Sequence, residues 1–236
     1  MNQQYRNTLL RHLLPDSIGR LQLRKLDLEL NRELEFPGQP IHHVFFIEQG
    51  VGSMTNTFED GSQVEVGLFG YESAIGISAL MGARRSLNRC YMQVGGHGYF
   101  CDVAAAAAEF KRGADFQNLA LRYVQAQLTQ ATQTAGCNAK HSIEKRLARW
   151  LSLCADRLDS NAVGISHSFL ADMLGVTRST MSIAAQLLRS RGLIKYERVQ
   201  IVIPDREALQ AAACECYRVV KDHLENYVEF DTGFVV

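Results

Sequence analysis

The sequence predicts an α+β chain: a small barrel of short strands, then one long helix, then a compact helical unit closed by a hairpin. Three observations predict it. Eleven of the 18 glycines fall at 38, 50, 52, 61, 67, 70, 76, 82, 95, 96 and 98, with short apolar runs between them. A broad apolar face recurs from Asp115 to Cys137. Residues 165–203 read as helix, glycine turn, helix and two short strands.

Taken in order, Leu9, Leu10, Leu13, Leu14, Ile18, Leu21 and Leu23 recur at three- and four-residue spacing, interrupted at Pro15. That spacing predicts helix over residues 7–33. Within the glycine-rich stretch, Val44-Phe45-Phe46-Ile47 is a buried-strand run, and Val64, Val66 and Leu68 alternate as a half-buried strand should. Asp60-Gly61 just before that strand reads as a hairpin turn, since glycine tolerates positive φ. Many short strands with regular glycine turns predict a jelly-roll barrel. Asp102 offers an N-cap to residues 104–112, and Gly113 offers the stop.

The helix from 115 to 137 has Phe116, Leu119, Ala120, Tyr123 and Val124 on one face. Leu121, Leu128, Ala131 and Ala135 widen that face on another side. A helix apolar over so wide an arc suits burial against its own barrel and a partner, so dimerisation is expected here; burial within the chain alone is the alternative. A further stripe of Ile143, Leu147, Trp150, Leu151 and Cys154 starts the last unit, with Lys145, Arg146 and Arg149 expected off it. Residues 161–164 read as a loop. The expected domains are a barrel over 1–113, the dimerisation helix over 114–137 and the terminal unit over 138–236.

Composition narrows the function classes. The 236 residues carry 25 basic and 25 acidic side chains, 47% hydrophobic and 21% charged, the balance of a globular protein. Zero net charge excludes a uniformly basic coat or an acidic disordered tail. The charge is uneven, however. Residues 138–203 hold 10 basic and 5 acidic side chains, whereas residues 204–236 hold 3 and 7. A local basic island is the footprint of a polyanion-binding surface. No apolar run approaches the roughly 18 residues of a membrane span, so no membrane partner is expected. The N-terminus lacks the apolar core of a secretion signal, and six cysteines are too few for a disulfide scaffold. A cytoplasmic protein with reduced thiols is expected. No phosphate-binding loop, nucleophile elbow or paired metal-ligand motif appears, so no enzyme is expected.

The basic island contains the informative segment. Ser166 can cap a helix from His167 to Leu174, with Phe169, Leu170, Met173 and Leu174 facing a core. Gly175 allows a tight turn, and Val176 plugs the gap between helices. Thr177 can cap a second helix from Arg178 to Arg191. This is helix-turn-helix spacing. Arg178, Ser179, Thr180 and Ser182 are expected outward and Ile183, Leu187 and Leu188 inward. A polar, cationic helix start is what enters a DNA major groove. The strands at 193–196 and 200–203 make a wing, and Arg189, Arg191, Lys195 and Arg198 are placed to meet phosphates. Ser166, His167 and Thr177 complete the expected DNA contacts. The alternative is a small-molecule-binding module whose winged helix docks protein.

With these features the chain resembles the Crp/Fnr family of bacterial transcription regulators. The resemblance is carried by residues 138–150 (NAKHSIEKRLARW), 170–181 (LADMLGVTRSTM) and 187–196 (LLRSRGLIKY). Residues 211–217 (AAACECY) resemble one branch of it, and 36–40 (FPGQP), 47–50 (IEQG) and 59–62 (EDGS) resemble its cyclic-nucleotide-binding-like barrel. It implies a homodimer through the long helix on a palindromic operator in double-stranded DNA, with RNA polymerase as a further partner. It also implies that Arg178 contacts a base or a phosphate. A Glu often follows that Arg in the family and a later Arg shares its face; here these positions are Ser179 and Ile183, so the operator should differ from that of the cyclic-AMP receptor.

Nucleotide-binding members carry Gly-Glu at one helix start and Arg-Ser later. Here Gly76 is followed by Ile77 and Ser78, while Arg85-Ser86 matches the second half. Isoleucine accepts no hydrogen bond from a ribose hydroxyl, which argues against cyclic AMP. Gly76, Ile77, Ser78, Arg85, Ser86 and Thr132 are the expected lining of an effector pocket whose ligand is not specified, a small anion other than cyclic AMP staying open; Arg85 as a plain surface residue is the alternative. The first cysteine is Cys90, so the N-terminal iron–sulfur cluster of the oxygen-sensing branch is not expected. Cys137 and His141 share a helical face, but no second pair is expected to complete a tetrahedron, because Cys214 and Cys216 on a terminal helix would point apart. No metal is expected, and any redox role of Cys137, Cys214 and Cys216 stays open.

Overall fold

The computed structural model describes residues 4–197 and 200–229. The chain opens with two short helices, α1 (Thr8–His12) and α2 (Pro15–Leu21). Helix stops there, short of the residue 33 that the leucine spacing predicts. Gln22 takes the left-handed conformation, and the chain leaves as strands β1 (Arg24–Leu28) and β2 (Glu33–Glu35).

Two long strands, β3 (His43–Thr57) and β6 (Arg89–Asp102), pair antiparallel and organise the barrel. Between them come β4 (Gln63–Phe69), β5 (Ala74–Ile75) and a 3₁₀ turn over Ile77–Met81. The sheet runs β1-β6-β3-β4, with β2 on β6 and β5 on β3. Its register shifts between Ile47 and Gln49 and again around Val51, and such irregularities bend long strands around a core. The Asp60-Gly61 turn closes the β3–β4 hairpin, as expected. The buried face of β4, however, includes Glu65, while Val64 and Val66 are half-buried.

Helix α3 (Val103–Phe110) follows β6. Asp102 precedes it but makes no side-chain cap; its carboxylate pairs with Arg24 at 2.6 Å instead. The long helix α4 spans Asp115–Lys140, three residues beyond the predicted end. Phe116, Leu119, Ala120 and Tyr123 are buried against the chain itself. Leu121 and Leu128 remain 47% and 56% exposed.

The terminal unit starts with α5 (Ile143–Leu158) and continues through β7 (Ala162–Val163), α6 (His167–Met173), α7 (Arg178–Ser190), β8 (Lys195–Glu197) and β9 (Gln200–Val202). Residues 162–163, expected as loop, pair with β9 as a third wing strand. Helices α8 (Arg206–Ala212) and α9 (Cys216–Asn226) end the described chain, α9 packing along α4 and α5.

A separate cluster of Leu28, Phe45, Ile47, Phe69, Ile75, Cys90 and Met92 fills the barrel. One larger apolar cluster runs from Leu9 and Phe46 through Tyr123 and Trp150 to Leu170 and Leu188. Barrel, long helix and terminal unit thus share a core. Trp150 Nε1 donates to Glu65 at 2.8 Å across that contact, and buried Arg157 pairs with Glu72 at 2.8 Å. Arg146 and Arg149, expected off the stripe, are buried as well. Arg146 donates to the Leu174 carbonyl, tying α5 to the end of α6.

Candidate DNA interface, effector cavity and thiol cluster

Helices α6 and α7 meet as the spacing predicts. The Ser166 hydroxyl accepts from the Phe169 N–H, and the Thr177 hydroxyl accepts from the Thr180 N–H. Each cap satisfies an N–H that the first helical turn leaves open. Gly175 takes φ +62° in the turn, and a Cβ there would sit 3.0 Å from Val64 of β4. The turn therefore rests on the barrel, where Tyr91 also meets Phe169 edge to face.

Helix α7 is two-faced. Met181, Ala184, Ala185 and Leu188 are buried. Arg178, Ser179, Ser182 and Arg189 are exposed, and Lys195 lies exposed on the wing. Ile183 and Leu187, expected inward, are 62% and 47% exposed. The helical repeat explains this: Met181, Ala184, Ala185 and Leu188 already fill the three- and four-residue stripe facing α5 and α6. Thr180 is half-buried, and Thr177 Oγ1 lies 2.9 Å from its hydroxyl, so both serve the cap first. Ser182 donates to the Arg178 carbonyl at 2.9 Å. Arg191 is held by Glu144, whereas no carboxylate pairs with Arg178, Arg189 or Lys195 among the described residues. The His167 side chain and Arg198 lie outside the described residues.

A cavity of about 340 Å³ opens between the barrel and α4, within the range of small-molecule sites. Gly76, Ile77, Ser78, Arg85 and Ser86 line it, as do Tyr123, Val124, Gln127 and Leu128 of α4. Gly76 adopts φ +94°, and a Cβ there would meet the His43 carbonyl oxygen at 2.3 Å, so the position requires glycine. Thr132 does not line the cavity; it sits exposed one turn beyond, donating to the Leu128 and Thr129 carbonyls. Arg85 is exposed at the rim and donates to the Gly38 carbonyl at 2.6 Å. Sequence reasoning missed Glu35. Its carboxylate accepts from the Ser86 hydroxyl inside the cavity and faces the Gly76 N–H. Burial pushes its pKa up, and these contacts partly offset the shift. The signal was out of reach because Glu35 lies 41 residues before Gly76, on β2, outside any local motif.

The cysteines also differ from expectation. Cys137, His141, Cys214 and Cys216 converge, with one donor atom from each within 4.8 Å of all the others. Cys214 is not on a helix: Ala213 is extended, ending α8, and α9 starts only at Cys216. The two thiols therefore turn the same way instead of apart. Cys137 Sγ lies 3.5 Å from Cys214 Sγ, and Cys216 Sγ lies 3.5 Å from His141 Nδ1. The hydrogen bond from Cys137 pulls the Cys214 thiol below its usual range.

Comparison with known proteins agrees with this geometry. Residues 145–212 match the family described as the Crp-like helix-turn-helix domain. The chain is 24% identical over 190 residues to the Global nitrogen regulator of Nostoc sp. (strain PCC 7120 / SAG 25.82 / UTEX 2576), covering 74% of this chain and 82% of that one. It is 26% identical over 205 residues to the Global nitrogen regulator of Synechococcus elongatus (strain ATCC 33912 / PCC 7942 / FACHB-805), covering 81% and 90%. Among solved structures, FixK2 from Bradyrhizobium japonicum superposes with TM-score 0.70 at 16% identity, over 82% of this chain and 98% of that one. TTHA1359, a CRP/FNR-family transcriptional regulator from Thermus thermophilus, gives TM-score 0.67 at 16% identity, over 80% and 98%. These structures share the fold, and the family match covers both helices of the reading unit. The chain carries a Crp-like helix-turn-helix domain over residues 145–212 and is a DNA-binding transcription regulator of the Crp/Fnr type, similar over most of its length to the regulators named above.

Proposed function

We propose that this regulator acts in the cytoplasm as a homodimer joined along α4 and binds a palindromic operator through α7. The observation that carries the reading is the outer face of α7: Arg178, Ser179, Ser182 and Ile183 stand exposed at the start of a helix whose opposite face is buried. Such a helix start fits the major groove, where Arg178 can bond guanine O6 and N7 and Ile183 can meet a thymine methyl. Ser179 and Ser182 flank them, and Arg189 and Lys195 meet phosphates. On α4, Leu121, Val124, Leu128, Ala131 and Ala135 recur at the spacing of a coiled-coil seam, which supports dimerisation there.

The cavity holds a small, mostly apolar effector with one polar end able to donate to Glu35. A carboxylate at that end disfavours the phosphate of a cyclic nucleotide. Because Leu128 lies both in the cavity and on the seam, an occupant biases the pairing of the two long helices, and with it the spacing of the two recognition helices. RNA polymerase is the partner through which bound protein changes transcription.

The test is a salt titration of double-stranded DNA binding. Binding through several phosphates gives a log–log slope of about −0.9 per phosphate. A flat response, or no retained DNA, would favour a protein-docking winged helix.

A further inference from the structure

We propose that Cys137, His141, Cys214 and Cys216 form a closed, tetrahedral zinc(II) site that pins the joint between the long helix and the DNA-binding unit. Three thiolates and one imidazole are a donor set suited to this ion. The spacing fits as well. With zinc–sulfur bonds of about 2.3 Å, the donors of one tetrahedron stand about 3.8 Å apart. Here all four donors lie within 4.8 Å of one another, and two of the edges measure 3.5 Å. An iron–sulfur cluster would hold its sulfurs farther apart than a single ion does. Cys137, Cys214 and Cys216 are buried and His141 is nearly so, which leaves no open position for substrate and makes the site structural.

The surroundings carry the marks of an outer shell. His141 Nδ1 faces Cys216, while its Nε2 lies 3.2 Å from the Glu215 carboxylate. A carboxylate on the far nitrogen orients a metal-bound imidazole. Gln133 Nε2 donates to Cys216 Sγ at 3.1 Å, a bond suited to a thiolate. Charge is matched too. Three thiolates and one zinc(II) sum to −1, and buried Arg149 is a cation that forms no close ion pair among the described residues, although its charge also reaches Glu65. It donates to the Thr134 hydroxyl at 3.2 Å, and its charge acts on Cys137.

The site joins distant segments. Cys137 and His141 close α4 just before α5 begins, and Cys214 and Cys216 bracket the entry to α9. Zinc would tie the last turn of the dimerisation helix to the segment that follows the wing.

The experiment uses the full chain without an affinity tag, purified under reducing conditions and then stripped with a chelator. Metal content is measured as purified, and the stripped chain is titrated with zinc(II) alone and with cobalt(II) alone. The expected result is one zinc per chain, a cobalt spectrum with thiolate-to-metal charge transfer and tetrahedral d–d bands, and a lower Tm after stripping that zinc restores. Cys216→Ser should lose the charge-transfer intensity in proportion and weaken binding, and Glu215→Gln should weaken it about 10–100-fold. His141→Cys keeps four donors and should still bind one ion, which guards against variants that merely misfold. Failure of the reduced wild-type chain to bind either metal would overturn the proposal. So would iron with inorganic sulfide in the purified protein, or zinc bound equally well by Cys216→Ser.

Discussion

Helices α4 and α7 both leave large apolar side chains in water, and their neighbours differ. On α4, Leu121 and Leu128 belong to a row with Val124, Ala131 and Ala135, which holds no charge. On α7, Ile183 and Leu187 are set among Arg178, Ser179, Ser182 and Arg189. An uncharged row at heptad spacing suits a second copy of itself, as proposed for α4. An apolar side chain ringed by cations and hydroxyls fits a base edge beside phosphates. Exposure alone does not name a partner; the side chains around it do.

The largest effect is expected from Leu121→Asp, which charges the proposed seam without touching the cavity. Sedimentation should show monomers, and operator affinity should fall by about a hundredfold or more, because two linked half-sites become one. If dimers persisted at full affinity, the seam would lie elsewhere.

Next is the contact between barrel and reading unit. Glu65 is buried, accepting from Trp150, Ser53 and Gln93, and burial pushes its pKa up to about 7. The folded state therefore holds a proton that the unfolded chain, with an ordinary value of 4.5, releases earlier. That stabilisation is present below about pH 4.5 and is lost as pH rises through about 7. The change amounts to about 3 kcal/mol at most. Denaturant unfolding at several pH values should show the decline in the wild type, and Glu65→Gln should flatten it. An equal decline in both would assign it to other groups.

On α7 the expected effects are smaller and more local. Arg178→Ala should cost about 1–3 kcal/mol of operator binding and relax preference at one base pair; equal loss on every sequence would make it a phosphate contact. Ile183→Ala should change stability by no more than about 0.5 kcal/mol, since the side chain is exposed. Its loss of affinity should be smaller than that of Arg178→Ala and confined to sites with a thymine opposite it. Equal affinity for sites with and without that thymine methyl in the wild type would remove Ile183 from base reading.

Much of this was legible in local sequence. Ser166, Gly175 and Thr177 mark the helix-turn-helix because caps and tight turns are chosen by near neighbours. Asp60-Gly61 marks its hairpin for the same reason. What failed was set by distant contacts. Leucines 21, 23, 26 and 28 fit either a helix or a strand, and pairing with β6 selects the strand for 24–28. Residues 162–163 become a strand only because β9 lies beside them. Arg146 and Arg149 look like surface cations until the end of α6 and Thr134 of α4 meet them. Half of the cluster is local, at Cys137 and His141, and the other half arrives from Cys214, 77 residues after Cys137.

Operator reading by the paired recognition helices is tested by selecting binding sites for the full-length protein from a randomised double-stranded library. The enriched sequences should hold two inverted half-sites whose centres lie roughly 10–10.5 base pairs apart, or a multiple of that, with one dimer bound to each. Enrichment of a single half-site, of direct repeats, or of no sequence at all would contradict paired reading of the operator.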